Sequence, residues 1–201
     1  MNPAALSDII QSRRSIRCYE DRPVSREVLN RLLEAAHWAS SAHNRQPWRF
    51  AVLTSAARCE SLARVMGERF RADLRADGVP DDQADRQVKR SYQRISSAPV
   101  VVVACLSMTD MAHYPDARRQ QAERIMAIQS AALAAQNLLL MAHAEGLGAC
   151  WMCAPLFVPD VVREELSLPD DWEPQALLTL GYPAEQREAL REPLETRILW
   201  Y

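Results

Sequence analysis

From Ile125 to Ala142 the chain is apolar on nearly every helical face, interrupted only by Gln129, Ser130, Gln136 and Asn137. With the flanking residues up to Gly146, this pattern predicts a helix of about 27 residues, roughly 40 Å long at the usual rise. A helix on a wet surface keeps one polar face, and this one has none. It belongs in a core or at a subunit interface, so other elements must be built around it. The 201 residues, 48% of them hydrophobic, are enough to do that, and we read 1–201 as a single domain. A charged fraction of 25% excludes a disordered, charge-rich tail protein.

The rest of the chain supplies those surroundings. Pro3 opens a short helix to about Arg13, and Ser25 caps a second over Arg26–Trp38, with Val28, Leu32, Leu33, Ala35 and Ala36 as its apolar stripe. A polar loop, Ser40–Pro47, feeds a strand at Trp48–Thr54. Charged helices follow to about Arg75 and over Asp81–Ile95, separated by the turn Asp77-Gly78-Val79-Pro80. Pro99–Leu106 reads as a buried strand because Val100–Val103 is β-branched and unbroken. Ser107–Arg118 reads as a loop. After the long helix come strands at Ala149–Cys153 and Gln175–Tyr182, with a short helix, Pro159–Leu166, between them. Helices and strands do not alternate strictly, so the expected class is α+β. The C-terminal Ile198-Leu199-Trp200-Tyr201 is apolar for a free end and is expected to dock on something.

Composition removes several functions. The net charge of −2 and pI near 6.1 weigh against a nucleic-acid partner. Met1–Gln11 lacks the apolar run of a signal peptide. The longest apolar stretches, Ala98–Leu106 and the Leu138–Ala142 neighbourhood, fall short of a bilayer span, so no membrane is expected. Five Cys without disulfide spacing fit a reduced, cytoplasmic protein. Only five Gly occur, and none forms a dinucleotide or P-loop cradle. Of the 24 basic residues, Lys89 alone is a lysine; the others are arginines, whose planar fork suits anions.

Three segments could carry chemistry. Arg13-Arg14-Ser15-Ile16-Arg17 gathers three guanidinium groups and a hydroxyl at a helix exit. It reads either as a phosphate site or as a solvated patch paired with Glu20 and Asp21. Ser40–Trp48 packs amides, hydroxyls and an imidazole into a loop pinned by Pro47 and Trp48. It reads either as donors and acceptors for a heteroaromatic edge or as a polar connection. Cys150-x-x-Cys153 lacks the second pair a zinc site needs, and on a strand its members point to opposite faces. Buried structural thiols are the expectation there, and His143 on the apolar helix is expected to be a satisfied core residue. No Ser-His-Asp or Cys-His order and no nucleophile elbow stand out, which points to chemistry carried by a bound cofactor.

Taken in order, the Arg-Arg-Ser-x-Arg start, Ser41-x-x-Asn44-x-Gln46-Pro47-Trp48, Gly146-Leu147-Gly148-x-x-Trp151, Gly181-Tyr182-Pro183 and Arg191-Glu192-Pro193-Leu194 resemble the FMN-dependent nitroreductase family over essentially the whole chain. That resemblance implies a central, mostly antiparallel sheet flanked by helices. It also implies a homodimer with FMN between subunits and the C-terminal tail docked on the partner. Arg13, Arg14, Ser15, Ile16 and Arg17 would hold the phosphate and ribityl chain, with Arg191 closing the clamp. Ser41, Asn44 and Gln46 would line the flavin, and the backbone at Cys153 and Ala154 would approach its ring. No side chain is assigned as catalytic and no metal is implied.

Phe70–Gly78, His113–Ala117 and Leu168–Pro174 are further similar to the reductase domain at the C-terminal end of γ-glutamyl ligases of deazaflavin-coenzyme biosynthesis. That similarity implies that Asp73 contacts the substrate. The implied reaction is ping-pong hydride transfer. NAD(P)H or a reduced deazaflavin gives electrons to FMN, and a small-molecule electron acceptor, such as a dehydro precursor of the deazaflavin coenzyme, takes them. Two other expectations stand beside it. One is the flavin-fragmenting enzyme of cobalamin lower-ligand synthesis; the other is a non-catalytic flavin or deazaflavin binding module.

Overall fold

The computed structural model describes residues 3–201. In chain order it contains α1 (Pro3–Ser12), α2 (Arg26–His37), β1 (Trp48–Leu53), α3 (Ala56–Ala76), α4 (Asp81–Ser96), β2 (Val100–Leu106), α5 (Ala117–Ala144), β3 (Gly148–Met152), α6 (Pro159–Leu166) and β4 (Glu173–Gly181). Short 3-10 turns occupy Ala42–Asn44, Ala154–Phe157 and Leu194–Arg197. The strands form one sheet in the order β1-β2-β4-β3, and each of these pairings is antiparallel. This is the expected α+β architecture.

Strand β2 shows why its sequence is a continuous apolar run. Successive side chains leave opposite faces of a strand. Val100, Val102, Ala104 and Leu106 join Leu178, Leu180, Ala135 and Leu138 in a core beneath α2 and α5. Val101, Val103 and Cys105 join Leu62, Cys59, Val162 and Leu177 in a second core beneath α3 and α6. Both faces of the sheet are covered, so neither needs polar side chains. Each Val or Leu buried here contributes roughly 1.5–3 kcal/mol relative to exposure. The ladder between β2 and β4 shifts register at Ala104/Cys105, where Pro174 enters β4 and cannot donate.

Helix α5 takes in the last two residues of the expected loop, because the Asp116 side chain accepts from Arg119 N at 2.9 Å and caps it. It ends at the Gly146 turn (φ 75°), with Leu147 N donating to Ala142 O. Ala127, Ala131, Ala134, Ala135, Leu138 and Ala142 are buried, and these mostly small side chains let the helix lie close on the sheet. On its other side Ile125, Ile128 and Leu133 are exposed. By length and composition α5 is apolar enough to cross a membrane, contrary to the short-stretch expectation. Its packing on the sheet and α2 is that of a core helix, and such helices pass the same test.

Smaller departures have local causes. In α2, Leu29 is buried with Leu32 and Ala36, whereas Val28, Leu33 and Ala35 are only half-buried. Strand β3 ends at Met152, so Cys153 falls outside it and is exposed; the buried-thiol expectation holds for Cys150 alone. His143 is half-buried rather than a core residue, and its Nε2 bonds Ser12 Oγ at 2.7 Å. The C-terminal Leu199, Trp200 and Tyr201 are exposed.

Candidate functional site

The arginine segment leaves α1 and is pinned by its backbone. Ser15 bridges Ala149 of β3, and Ile16 N donates to Ala149 O at 3.0 Å. Ile16 is buried directly over Gly148, where a Cβ would stand 2.7 Å from the Ile16 side chain. Only glycine allows this approach. Glu185 accepts from Arg17 N at 2.7 Å and Cys18 N at 3.2 Å. The Tyr19 hydroxyl donates to Ile16 O at 2.7 Å and lies 2.7 Å from Thr179 Oγ1. Burial foremost pushes the Tyr19 phenol far above its ordinary range, which keeps this latch protonated.

With the backbone fixed, the guanidinium groups are left without acids. Among the described residues, no ion pair involves Arg13, Arg14, Arg17 or Arg191. Glu20 and Asp21 therefore do not neutralise the segment as the surface-patch alternative required. Arg14 Nη1 reaches only the carbonyls of Gln11 and Arg13, while its Nε is buried without a hydrogen-bond partner. Burial, then the charges of Arg191 and Arg14, hold the Arg13 guanidinium below its ordinary value. The charge of Arg191, from the other end of the chain, thus acts on Arg13.

Burial raises the Cys150 thiol, while Arg17, Arg94 and Arg13 pull it down. Arg94, on α4, therefore lies near enough to the same strand for its charge to act there. No Asp or Glu stands four residues to either side of it, but the same is true of Arg90, so the sequence does not single it out. His143 is lowered by burial first, then by Arg13 and Arg14.

The loop before β1 is strained. His43, Asn44 and Gln46 all have φ near 50°, a region that L side chains enter at a cost. Local bonds hold it there: Ser41 Oγ accepts from Gln46 N at 3.1 Å, and Ser130 Oγ of α5 accepts from Ala42 N at 3.2 Å. Gln46 Nε2 faces Asn44 Oδ1 at 3.3 Å, and both side chains are open to solvent on one side. The loop is anchored on α5 at Ser130 and the arginine segment at His143. Those anchors lie about 20 Å apart along the helix. Within one chain, Ser41, Asn44 and Gln46 are therefore not brought onto the arginines.

At the exit of β3, Trp151 Nε1 donates to Cys153 Sγ at 3.0 Å. The following turn places Ala154 and Phe157 on a cleft of about 360 Å³, whose far wall is α3 with Phe70 and Asp73. Asp73 and Ala154, distant in sequence, line one cleft.

The antiparallel sheet has both faces covered, and along its edge strand lies an arginine cluster with no ion pair among the described residues. The nitroreductase family model matches residues 10–182, and the chain belongs to that family. It is 31% identical to an NADH dehydrogenase of Thermus thermophilus over 94% of this chain and 92% of that protein. It is 29% identical to the 5,6-dimethylbenzimidazole synthase of Rhodospirillum rubrum over 90% of this chain and 83% of that protein. A solved FMN complex of a Desulfovibrio desulfuricans protein assigned as a nitroreductase superposes with a TM-score of 0.76 at 29% identity, covering 100% of this chain and 98% of that one.

Proposed function

We propose that this chain is an FMN-dependent oxidoreductase that works as a homodimer by ping-pong transfer from NAD(P)H or a reduced deazaflavin to a small electron-poor acceptor. The observation that carries the reading is the buried, partnerless Arg14 Nε within a cluster of guanidinium groups that have no carboxylate partner among the described residues. Such a cluster suits a phosphate dianion, and the donor set fits FMN in that respect. Bound FMN would supply the two-electron chemistry, taking a hydride from the donor and passing it to the acceptor.

The protein's own groups place and bias that chemistry. Arg13, Arg14, Arg17 and Arg191 would hold the phosphate, with the Ser15 hydroxyl and the Ile16 backbone along the ribityl chain. Arg94, on the same side, would add positive charge where the reduced ring carries negative charge. The turn at Cys153 and Ala154 offers backbone N–H groups to the ring. Ser41, Asn44 and Gln46 would reach the flavin from the partner subunit, because one chain holds them about 20 Å from the arginine anchor. The exposed Ile125, Ile128 and Leu133 of α5 and the apolar C-terminal tail supply surface for that dimer. Asp73 would meet the acceptor, a nitroaromatic or a dehydro precursor of a deazaflavin.

The visible spectrum and ligand mass of the purified protein test this reading. A flavin spectrum and the mass of FMN are expected. Protein that is colourless, and stays so after incubation with FMN and dialysis, would overturn it. The relationship to the Rhodospirillum rubrum synthase favours a second reading, oxygen-dependent fragmentation of reduced FMN. Product analysis after photoreduction in air separates the two: intact FMN supports the oxidoreductase, and a benzimidazole product supports the synthase.

A further inference from the structure

The cleft between α3 and the Ala154–Phe157 turn is apolar over most of its wall, with Met66, Phe70, Leu74 and Phe157 among its lining. Its volume of about 360 Å³ fits one or two aromatic rings. Its charged groups are all of one sign. Asp73 and Asp77 line it, and among the described residues no Arg, Lys or His does. The two acids stand one helical turn apart on the same face of α3.

Asp77 is the C-cap residue of α3, where the last carbonyls already carry partial negative charge and where a cation, not a carboxylate, is favoured. Among the described ion pairs, Arg69 reaches a cleft acid but is divided between two carboxylates, none involves Asp77, and the other nearby bases are committed elsewhere. Arg69 is shared between Asp73 at 3.6 Å and Asp160 at 3.5 Å. Arg71 pairs with Asp85, and Arg75 pairs with Asp81 at 3.0 Å. The cleft is thus a negative end joined to aromatic faces, one of which, Phe157, is largely exposed. Acids to one side and ring faces to the other are the two features that bind a cationic nitrogen.

From this geometry we propose that the cleft selects a planar aromatic acceptor carrying a cationic nitrogen, seated between Phe70 and Phe157 with its charge toward Asp73 and Asp77. The inference rests on the flavin reading, because Ala154, at the expected ring contact, lines the same cleft. It narrows the acceptor class beyond electron-poor aromatics in general.

The test uses the FMN-loaded protein, reduced stoichiometrically with dithionite and mixed rapidly with 4-nitrobenzylamine, 4-nitrobenzyl alcohol or 4-nitrobenzoate at neutral pH. The rate of flavin reoxidation is followed at subsaturating acceptor. The ammonium compound is expected to react about tenfold faster than the alcohol, and the benzoate slower than both. The double variant Asp73→Asn, Asp77→Asn should bring the ammonium-to-alcohol ratio down about tenfold, which separates the cleft's preference from intrinsic reactivity. High salt should compress the same ratio in the unchanged protein. A ratio unaffected by both the substitutions and salt, or a preference for the benzoate, would overturn the inference while leaving the flavin reading intact. Protein that binds no FMN would overturn both.

Discussion

The acid-paired arginines on α3 and α4 and the arginines at the exit of α1 are the same residue in opposite electrostatic situations. On the helices, Arg64 pairs with Glu68, Arg71 with Asp85, Arg75 with Asp81 and Arg86 with Asp82. These pairs are exposed, each is closed within the chain, and nothing further is needed to satisfy them. At the α1 exit, Arg13 feels the charges of Arg14 and Arg191, burial adds to the cost of keeping it charged, and none of these, nor Arg17, has an ion pair among the described residues. Folding alone gives no return for assembling like charges. The assembly makes sense once an anion completes it. Composition counts both groups together; their carboxylate neighbours distinguish them.

The largest effect is expected from Arg14→Ala. Losing a forked, charge-assisted contact to phosphate should weaken FMN binding about 100-fold, read by fluorescence titration of the apoprotein. The matched change Arg86→Ala should move stability by less than about 0.5 kcal/mol and leave flavin affinity alone. Equal effects on affinity would erase the distinction between the two groups.

An intermediate effect separates position from charge. Gly148→Ala forces a Cβ against Ile16 and should cost about 1–3 kcal/mol of stability while weakening FMN binding by shifting the arginine segment. Gly78→Ala, at φ 73° with open space around it, should cost about 1–2 kcal/mol through backbone strain alone. Denaturant melts paired with FMN titrations distinguish them: only the first should lose flavin affinity.

The smallest effect is a pH dependence. His143 is held below its ordinary value of 6.5 in the folded chain. The unfolded chain therefore takes the proton first as pH falls, so this residue's contribution is complete above 6.5 and is lost as pH drops through the lower folded value. Apoprotein stability should fall more steeply on acidification than in His143→Gln, which keeps an acceptor for Ser12. Saturating FMN should shrink the difference, since a phosphate offsets Arg13 and Arg14. Identical slopes in apoprotein would remove His143 from the cluster's electrostatics.

Much of this architecture is legible in the residues. The Ser25 cap, the Gly146 stop and the unbroken Val100–Val103 run each act locally, so α2, the end of α5 and β2 fall where expected. In α2 Leu29 is buried while Val28, Leu33 and Ala35 are half-buried, because packing on α5 decides which side of the stripe faces inward, a contact no local pattern contains. At the site, the Arg13–Arg17 cluster is visible from sequence because its charges are contiguous. Arg94 is not, since only the packing of α4 decides which of Arg86, Arg90 and Arg94 turns toward the sheet. Cys153 changes from buried to exposed because β3 stops one residue early. The strain at Gln46 has no signature in its residue type, whereas His43 and Asn44 are types that enter positive φ more often than most.

Helix α5 carries Ser130 at one anchor and His143 at the other, and so acts as a ruler between the two halves of the proposed site. Substitutions along it can be absorbed by repacking, but a single inserted residue would turn one anchor about 100° relative to the other and move it 1.5 Å. Relatives of this chain should therefore accept gaps in the Ser107–Asp116 loop or the tail far more readily than between Ser130 and His143. The spacing itself, more than any residue within it, would be the inherited quantity.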